Sequence, residues 1–148
     1  MRRLILFCLL LLAGPVSAQP VTFPKDTVTI ETVDGKTHKF NVELATTPQQ
    51  VAQGLMFRRQ MAADAGMLFL FERTDPATFW MKNTYIPLDM IFIGLDGRIL
   101  NIAERTIPLT ETPVHAAGPT RAVLELNGGT ASRLGLKAGD RVRHSALP

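Results

Sequence analysis

The stretch TVTIETVDGKTHKFNVELA, residues 27–45, alternates apolar and polar residues on both sides of Asp34-Gly35. In a strand, such alternation places every second side chain on the same face, and Asp-Gly favours the tight turn that joins two antiparallel strands. The stretch LDMIFIGLDGRILNIAE, residues 88–104, repeats the arrangement around Asp96-Gly97. The two patterns predict two β-hairpins, each of which needs other parts of the chain to cover its apolar face.

The rest of the chain predicts more strands and two short helices. Thr47 can cap a helix, Pro48 suits its first turn and Gln50 completes a capping box, which predicts a helix over residues 48–58. Apolar runs bounded by turn residues predict the other strands, and a proline-rich stretch predicts a loop. The predicted strands cover residues 65–71, 78–83, 121–129 and 139–144, the loop covers 106–120, and the second helix covers 130–136.

These elements predict a mainly β (α+β) fold. We expect a compact, mostly antiparallel, barrel-like sheet of about eight strands with two short helices. The length of 148 residues suits one domain. Residues 27–148 are therefore assigned to a single β-rich domain, and residues 19–26, which contain proline and polar side chains, to a flexible leader.

The first 18 residues have the pattern of a secretory signal peptide. Arginines at positions 2 and 3 precede ten apolar residues, 4–13, and the small residues at 16–18 form a cleavage site before Gln19. This pattern predicts a periplasmic or secreted protein, and the alternative is an uncleaved N-terminal anchor. Ten apolar residues are too few to span a bilayer, which takes about 20, so no stable membrane span is expected after cleavage.

Cleavage also changes what the composition implies. Cys8 leaves with the signal peptide, so the mature chain has no thiol, disulfide or thiolate metal site. Loss of the two arginines leaves 14 basic residues against 13 acidic ones, with no basic run that interleaves aromatic residues, so nucleic acid is not an expected partner. The three histidines, His38, His115 and His144, lack metal-ligand spacing, and nucleotide-binding and nucleophile motifs are missing from the sequence. We therefore expect no metal, no cofactor and no catalytic constellation.

The stretch FWMKNTYIPLDMIF, residues 79–92, places polar and aromatic side chains inside an apolar run. If residues 78–83 form a strand, Trp80, Lys82 and Thr84 share one face, where a tryptophan can bury its ring while its N–H and the ammonium group stay hydrated. Asn83 would then start a turn, because asparagine tolerates a positive φ. The stretch predicts one wall of a recognition site. The alternative is that Trp80 belongs to the core and Lys82 lies at its edge.

Two carboxylates in apolar surroundings extend this candidate site. Asp89 opens an apolar strand and Glu125 lies between two leucines, so each needs a partner if it is buried. Asp89 can instead cap nearby backbone N–H groups, and the candidate partners of Glu125 are Arg58 and Lys82. The complete set of candidate ligand-binding residues is Arg58, Trp80, Lys82, Asn83, Thr84, Asp89, Glu125 and Asn127.

Several motifs in this sequence resemble those of the bacterial and archaeal family called domain of unknown function 192. They are, in order, GLMFR, GMLFLF, FWMKNTYIPLDMIFI, DGRI and AVLELNGGTASRLGLKAGDRV, and the resemblance covers residues 27–144. It implies a small, often exported or membrane-anchored protein with a compact β-rich fold, and no particular activity. The residues that match the family signature are Gly54, Arg58, Gly66, Met67, Trp80, Met81, Lys82, Asn83, Thr84, Pro87, Asp89, Glu125 and Gly139.

Three functions are compatible with the sequence. The first is an exported binding or accessory domain that holds a small polar, carbohydrate-like ligand or an envelope component in a pocket lined by FWMKNTYIPLD, because an aromatic face beside polar groups suits a sugar. The second is a hydrolase that uses Asp89 and Glu125, which requires two carboxyl groups within about 5–10 Å across a cleft. The third is a structural or protein-interaction role, in which the motif is a folding nucleus.

Overall fold

The structure is a computed structural model that describes residues 20–148. The predicted signal peptide (residues 1–18), Cys8 and the cleavage before Gln19 lie outside these residues and stay predictions. The first strand begins at Lys25, inside the predicted leader, and the flexibility of that leader stays a prediction too. Within residues 20–148, no helix has the length and apolar character needed to cross a membrane.

Eight strands and two short helices form in the described part of the chain. The strands are β1 (Lys25–Glu31), β2 (Thr37–Ala45), β3 (Ala65–Leu70), β4 (Pro76–Phe79), β5 (Leu88–Gly94), β6 (Ile99–Thr106), β7 (Val114–Asn127) and β8 (Arg141–Arg143). The helices are α1 (Pro48–Gln53) and α2 (Thr130–Leu134). This confirms the predicted fold class. Both predicted hairpins are present, and Gly35 and Gly97 take positive φ in their turns, as an Asp-Gly hairpin requires.

The strands form one curled sheet in the order β6-β5-β7-β3-β2-β1-β8, with β4 paired to the first half of β7. Only β2 and β3 pair in parallel, and α1 lies in the connection between them. The two ends of the sheet meet, because Gly139 donates its N–H to the Ile99 carbonyl at 2.9 Å and Ile99 donates to the Asp140 carbonyl at 2.8 Å. The sheet therefore curls into a half-barrel, and backbone hydrogen bonds link the start of β6 to the residues just before β8.

Both faces of the central strands are covered, and all seven residues of β5 are buried. One face packs against α2 and β8; its cluster includes Ile30, Phe40, Leu68, Ile91, Leu124, Leu126, Ala131 and Val142. The other face packs under α1, β4 and residues 80–87; its cluster includes Leu55, Met67, Phe69, Met81, Leu88, Met90, Phe92 and Val123. The hydrophobic driving force is thus divided between two cores separated by a single sheet.

The first helix is shorter than predicted. Its capping box is present, because Gln50 N–H donates to Thr47 Oγ1 at 3.3 Å and Gln50 Oε1 accepts from Thr47 N–H at 3.0 Å. However, the helix ends at Gln53 rather than residue 58, because Gly54 takes φ 47° and ψ −135°, outside the helical region. Residues 54–63 continue as a loop that leads into β3.

Two further boundaries were wrong. The predicted strand 78–83 ends at Phe79, because Met81 donates its N–H to the Thr110 carbonyl and Asn83 turns the chain with φ 54°. The positive φ at Asn83 itself was predicted correctly. The predicted loop 106–120 becomes strand from residue 114 onward, where β7 pairs with β4.

Two buried aspartates join turns that are distant in sequence. Asp89 Oδ1 accepts the N–H groups of Arg105 and Gly129 at 2.8 and 2.9 Å, and its Oδ2 accepts that of Ala131 at 2.7 Å. Asp140 accepts the N–H groups of Val33 and Lys137 in the same way, at 2.9 and 2.8 Å. Each carboxylate is therefore desolvated but paired, which is the condition for a buried charge to be tolerated.

The substitution Asp89→Asn is expected to lower the free energy of unfolding by roughly 3 kcal/mol, because it removes the charge and directs an amide N–H₂ at backbone N–H donors. Chemical denaturation followed by circular dichroism measures this change. The matched control is Asp96→Asn, which alters an exposed turn aspartate that accepts one N–H, from Arg98. Equal stability losses in the two variants would contradict a structural role for Asp89.

Candidate functional site

A cleft of about 260 Å³ opens between α1, β4 and the 80–87 loop, with the central sheet as its floor. Its walls are mostly apolar, and its polar side chains belong to Gln53, Thr78, Thr84 and Glu125. The lining residues are Val51, Ala52, Gln53, Gly54, Leu55, Met56, Phe69, Thr78, Phe79, Trp80, Thr84 and Glu125. We refer to this feature as the Glu125 cleft.

Glu125 reaches the cleft because of the register of β7. Opposed residues in antiparallel strands project to the same face, and Glu125 lies opposite Met67 of β3 and Met90 of β5. Those methionines belong to the core under α1 and the 80–87 loop. The Glu125 side chain is consequently held on the floor of the cleft, with 4% of the residue exposed.

Burial favours the protonated form of the Glu125 carboxyl. Burial raises the pKa of Glu125 from its ordinary value of 4.5 to about 8. Within residues 20–148, no ion pair or hydrogen bond to another residue involves this carboxyl, and loss of water is the cause of the raised pKa. In its protonated form the group has one O–H donor and a carbonyl acceptor, and both face a small, largely apolar space.

The walls of the cleft combine fixed rings with one half-exposed ring. Phe79 packs edge-on against Phe69 at 5.0 Å and against Phe92 at 6.3 Å, so its ring is held by the core. Trp80 follows immediately and is 51% exposed, which contradicts a wholly buried core role for this residue. The cleft therefore has rigid apolar walls and an accessible indole at its edge.

Lys82, Asn83 and Thr84 adjoin Trp80, but only Thr84 lines the cleft. The Lys82 ammonium lies 5.6 Å from the centre of the Trp80 ring and forms an exposed ion pair with Glu111 at 3.4 Å. The Asn83 carbonyl accepts the N–H of Phe57 at 2.8 Å, which joins the 80–87 loop to residues 54–63. Thr84 is buried and donates its hydroxyl to the Lys82 carbonyl at 3.2 Å, so this turn is fixed from within.

Arg58 and Asn127 lie elsewhere. Arg58 pairs with Glu43 and lines a second depression of about 690 Å³ beside β1 and β2. Asn127 donates to the carbonyls of Met61 and Ala62 at 3.2 and 2.9 Å, and so holds the loop that precedes β3. The predicted pairing of Glu125 with Arg58 or Lys82 is wrong, because each cation pairs with a different glutamate.

Asp89 lies on the other side of the sheet from Glu125. It is opposite Leu126 and bonds to Ala131, both of which belong to the core that packs against α2. Glu125 is adjacent to Leu126 on β7 and therefore faces the opposite way. The sheet separates the two carboxyl groups, which removes the paired-carboxylate hydrolase from consideration. The alternative interpretation of Asp89 as a cap on backbone N–H groups is correct.

Sequence reasoning missed the apolar half of the cleft. The side chains of Leu55, Met56 and Phe69 line it together with Phe79, yet none was a candidate. The apolar spacing around α1 predicts that the helix packs on something, but it does not identify the surface. Phe69 and Glu125 come together only through the β3–β7 register, which no local pattern contains.

Other polar groups in residues 20–148 do not form a metal centre. No cluster of three or more histidine, cysteine, aspartate or glutamate side chains lies in this part of the chain. His115 contacts Thr78 at 3.1 Å and His144 contacts Asp26 at 3.2 Å, so these two histidines have separate surface partners.

Comparison with known proteins identifies related sequences and structures. The model of the domain of unknown function 192 family, described as "Uncharacterized ACR", matches residues 29–144. A crystal structure from Sinorhizobium meliloti, of a protein provisionally described as a transcription regulator, has a TM-score of 0.84 and 50% identity and covers 87% of this chain and 100% of its own. A protein of unknown function from Novosphingobium aromaticivorans has a TM-score of 0.81 and 50% identity over 89% of this chain and 94% of its own. A search of curated proteins gave no match.

The protonated Glu125 predicts a specific pH dependence of stability. Because its pKa is about 8 in the folded state and near 4.5 when unfolded, the folded protein retains a proton that the unfolded chain releases between these values. The free energy of unfolding should therefore fall by several kcal/mol as pH rises from about 5 to 8, at about 1.4 kcal/mol for each pH unit. Glu125→Gln should remove this decline, and the exposed Glu111→Gln should keep it. Denaturation curves across this pH range measure both, and parallel profiles for wild type and Glu125→Gln would refute the assignment.

Proposed function

The chain belongs to the domain of unknown function 192 family, and from that premise we propose that it is a binding domain for a small, uncharged polar ligand held in the Glu125 cleft. The observation that carries this proposal is the unpartnered carboxylic acid on the floor of an open cleft. A neutral acid in such a position lacks a partner for both its O–H and its carbonyl. A ligand hydroxyl or amide can supply the missing hydrogen bonds.

The charge state of the cleft favours a neutral ligand. An anionic ligand would meet no cation among the residues that line the cleft, and a cationic ligand would require Glu125 to give up its proton. The Lys82 ammonium lies outside, over Trp80 and paired with Glu111. Neutral hydroxyl or amide groups match the Glu125 carboxyl and the hydroxyl of Thr78 without burying an unpaired charge.

The size and walls of the cleft favour a compact ring. A volume of about 260 Å³ lies near the small end for ligand sites, which usually hold drug-sized molecules in about 300–1,000 Å³. The half-exposed Trp80 offers a flat apolar face at the edge of the cleft. A single sugar ring has such a shape, with apolar C–H groups on one face and hydroxyls around its rim. We therefore propose a carbohydrate-like ligand, either free or as part of a cell-envelope component.

We also propose that binding takes place outside the cytoplasm. The N-terminal pattern of residues 1–18 supports this location. The near balance of 14 basic and 13 acidic residues after position 18 favours a neutral ligand over nucleic acid. The description of the Sinorhizobium meliloti relative as a regulator is not carried over to this chain.

Ligand binding should change the fluorescence of Trp80, the single tryptophan of the chain. Titration with neutral and N-acetylated monosaccharides is expected to give a saturable change. Binding should weaken above pH 8, where Glu125 loses the proton that it donates. In Glu125→Gln, which keeps a neutral donor, any remaining affinity should not vary with pH in this range.

Calorimetry can test the contribution of Trp80 itself. Trp80→Ala should weaken binding at least about fivefold, because an aromatic contact contributes about 1 kcal/mol beyond its buried area. The control is Val33→Ala, which truncates another exposed apolar side chain, in the β1–β2 turn. Equal affinity of Trp80→Ala and wild type, or no saturable response to any neutral sugar, would overturn the proposal.

Export has its own test. Fractionation of cells that express the full chain should place the protein in the periplasm or medium, and mass spectrometry should find Gln19 as the first residue. A variant that lacks residues 2–18 should stay in the cytoplasm. A mature protein that still carries the apolar segment 4–13 would instead support the N-terminal anchor.

A further inference from the structure

Large exposed hydrophobic side chains are concentrated in one region of the surface. Residues 20–148 contain seven such side chains. Two of them, Val33 and Leu95, lie singly in hairpin turns. The other five come from three loops, residues 54–63, 80–87 and 107–113, and are Phe57, Trp80, Tyr85, Ile107 and Leu109. We refer to these five side chains as the loop surface.

Backbone hydrogen bonds hold the three loops together, with the 80–87 loop in the centre. Phe57 donates its N–H to the Asn83 carbonyl at 2.8 Å, and Leu109 donates to the Thr84 carbonyl at 3.1 Å. Met81 also donates to the Thr110 carbonyl at 2.9 Å. The rings of Phe57 and Tyr85 meet edge-on at 6.3 Å. The loop surface is therefore one fixed arrangement of side chains drawn from three segments.

Two residues of the loop surface, Phe57 and Leu109, have an unfavourable backbone conformation. Phe57 and Leu109 have φ values of 66° and 65°, in the left-handed region, where a non-glycine residue costs about 1–3 kcal/mol. Their side chains are nevertheless 60% and 58% exposed. Backbone strain and exposure of a large apolar group both lower the stability of the isolated domain. Such features are typical of a surface that another molecule covers.

The charges around the loop surface are mainly positive. The three loops contain the cations Arg58, Arg59 and Lys82 and a single acid, Glu111; Arg58 pairs with Glu43 and Lys82 with Glu111. The Arg59 guanidinium lies 5.3 Å from the centre of the Tyr85 ring, and Lys82 lies over Trp80. Arg59 forms no ion pair with any residue in the described range. The positive charge without an ion pair beside these aromatic rings is therefore that of Arg59.

We propose that the loop surface docks the protein on an anionic lipid surface. Tryptophan and tyrosine favour the boundary between headgroups and acyl chains, and phenylalanine, leucine and isoleucine can enter the acyl region. The cations beside the aromatic rings are placed to meet phosphate-bearing headgroups, which attract each nearby lysine or arginine. The proposal does not depend on a ligand in the Glu125 cleft, although Trp80 borders both.

The arrangement of the apolar side chains on three separate loops favours a lipid surface over a protein partner. Its apolar groups are separate tips from three loops, with no continuous strand or helix face among them, and a fluid bilayer can enclose separate tips without a matching shape. A cation over each of two aromatic rings combines apolar and positive groups side by side, as the headgroup region requires.

Vesicle sedimentation with the mature chain tests the proposal. The protein should sediment with vesicles of phosphatidylcholine mixed with phosphatidylglycerol, much less with pure phosphatidylcholine, and less as salt is raised. Trp80 fluorescence should shift to shorter wavelength and be quenched by brominated lipids. The double variant Phe57→Gly, Leu109→Gly should bind at least about tenfold more weakly, because it removes two inserting side chains. Glycine adopts these φ values readily, so the variant should melt no lower than wild type.

Matched variants separate the possible outcomes. Val33→Ser with Leu95→Ser removes exposed apolar groups from the hairpin turns and should leave vesicle binding unchanged, while Arg59→Gln should weaken binding and reduce its dependence on salt. Glu125→Gln should bind vesicles normally even if it alters sugar binding. Absence of sedimentation with anionic vesicles would overturn the proposal. So would a dimer in analytical ultracentrifugation that the double glycine variant abolishes, because the loop surface would then face a second copy of the chain.

Discussion

The length and pairing of β7 constrain everything else in this structure. Its first half pairs with β4, and its second half lies between β3 and β5. Because α1, β4 and the 80–87 loop cover one face of this strand and α2 lies against the other side of the sheet, residues 122–126 in its second half are buried. A carboxyl at position 125 therefore needs a partner or a proton, and its raised pKa favours the proton.

The two buried carboxyl groups on this sheet differ in their hydrogen-bond partners. Asp89 accepts three backbone N–H groups and joins β5, β6 and the start of α2. Glu125 is next to Leu126, the residue of β7 that pairs with Asp89, and its side chain lies on the opposite face of the sheet. It has two methionines opposite it and no donor within the described residues. An apolar side chain at position 125 would pack against those methionines without loss of solvation. The acid is consequently not explained by the stability of the core.

The sequence predicted what depends on local chemistry. The Asp-Gly turns, the capping box at Thr47 and the positive φ at Asn83 each rest on residues close together in the chain, and all three are present. The first half of β7 was assigned to a loop because of its prolines, but Pro119 lies opposite Pro76 at an irregular edge pairing, where neither needs an N–H donor.

Predictions of the site depended on long-range register and were correspondingly less complete. Trp80, Thr84 and Glu125 do meet in one cleft. Arg58, Asp89 and Asn127 were included because their residue types suit a site, but which face of the sheet or which loop each one occupies is set by strand pairings that no local pattern specifies. Phe69 and Leu55 were overlooked because apolar residues that line a cleft cannot be distinguished from core residues by their type.

Several energetically unfavourable features of the molecule lie at one end. The desolvated Glu125, the left-handed Phe57 and Leu109, and the half-exposed Trp80 all lie in or beside the loops that meet at residues 80–87. At the closure of the half-barrel, by contrast, Asp140 and the backbone of Ile99 are fully paired. These features lie where a cleft opens beside exposed aromatic side chains, and the two cores provide the stability that offsets them.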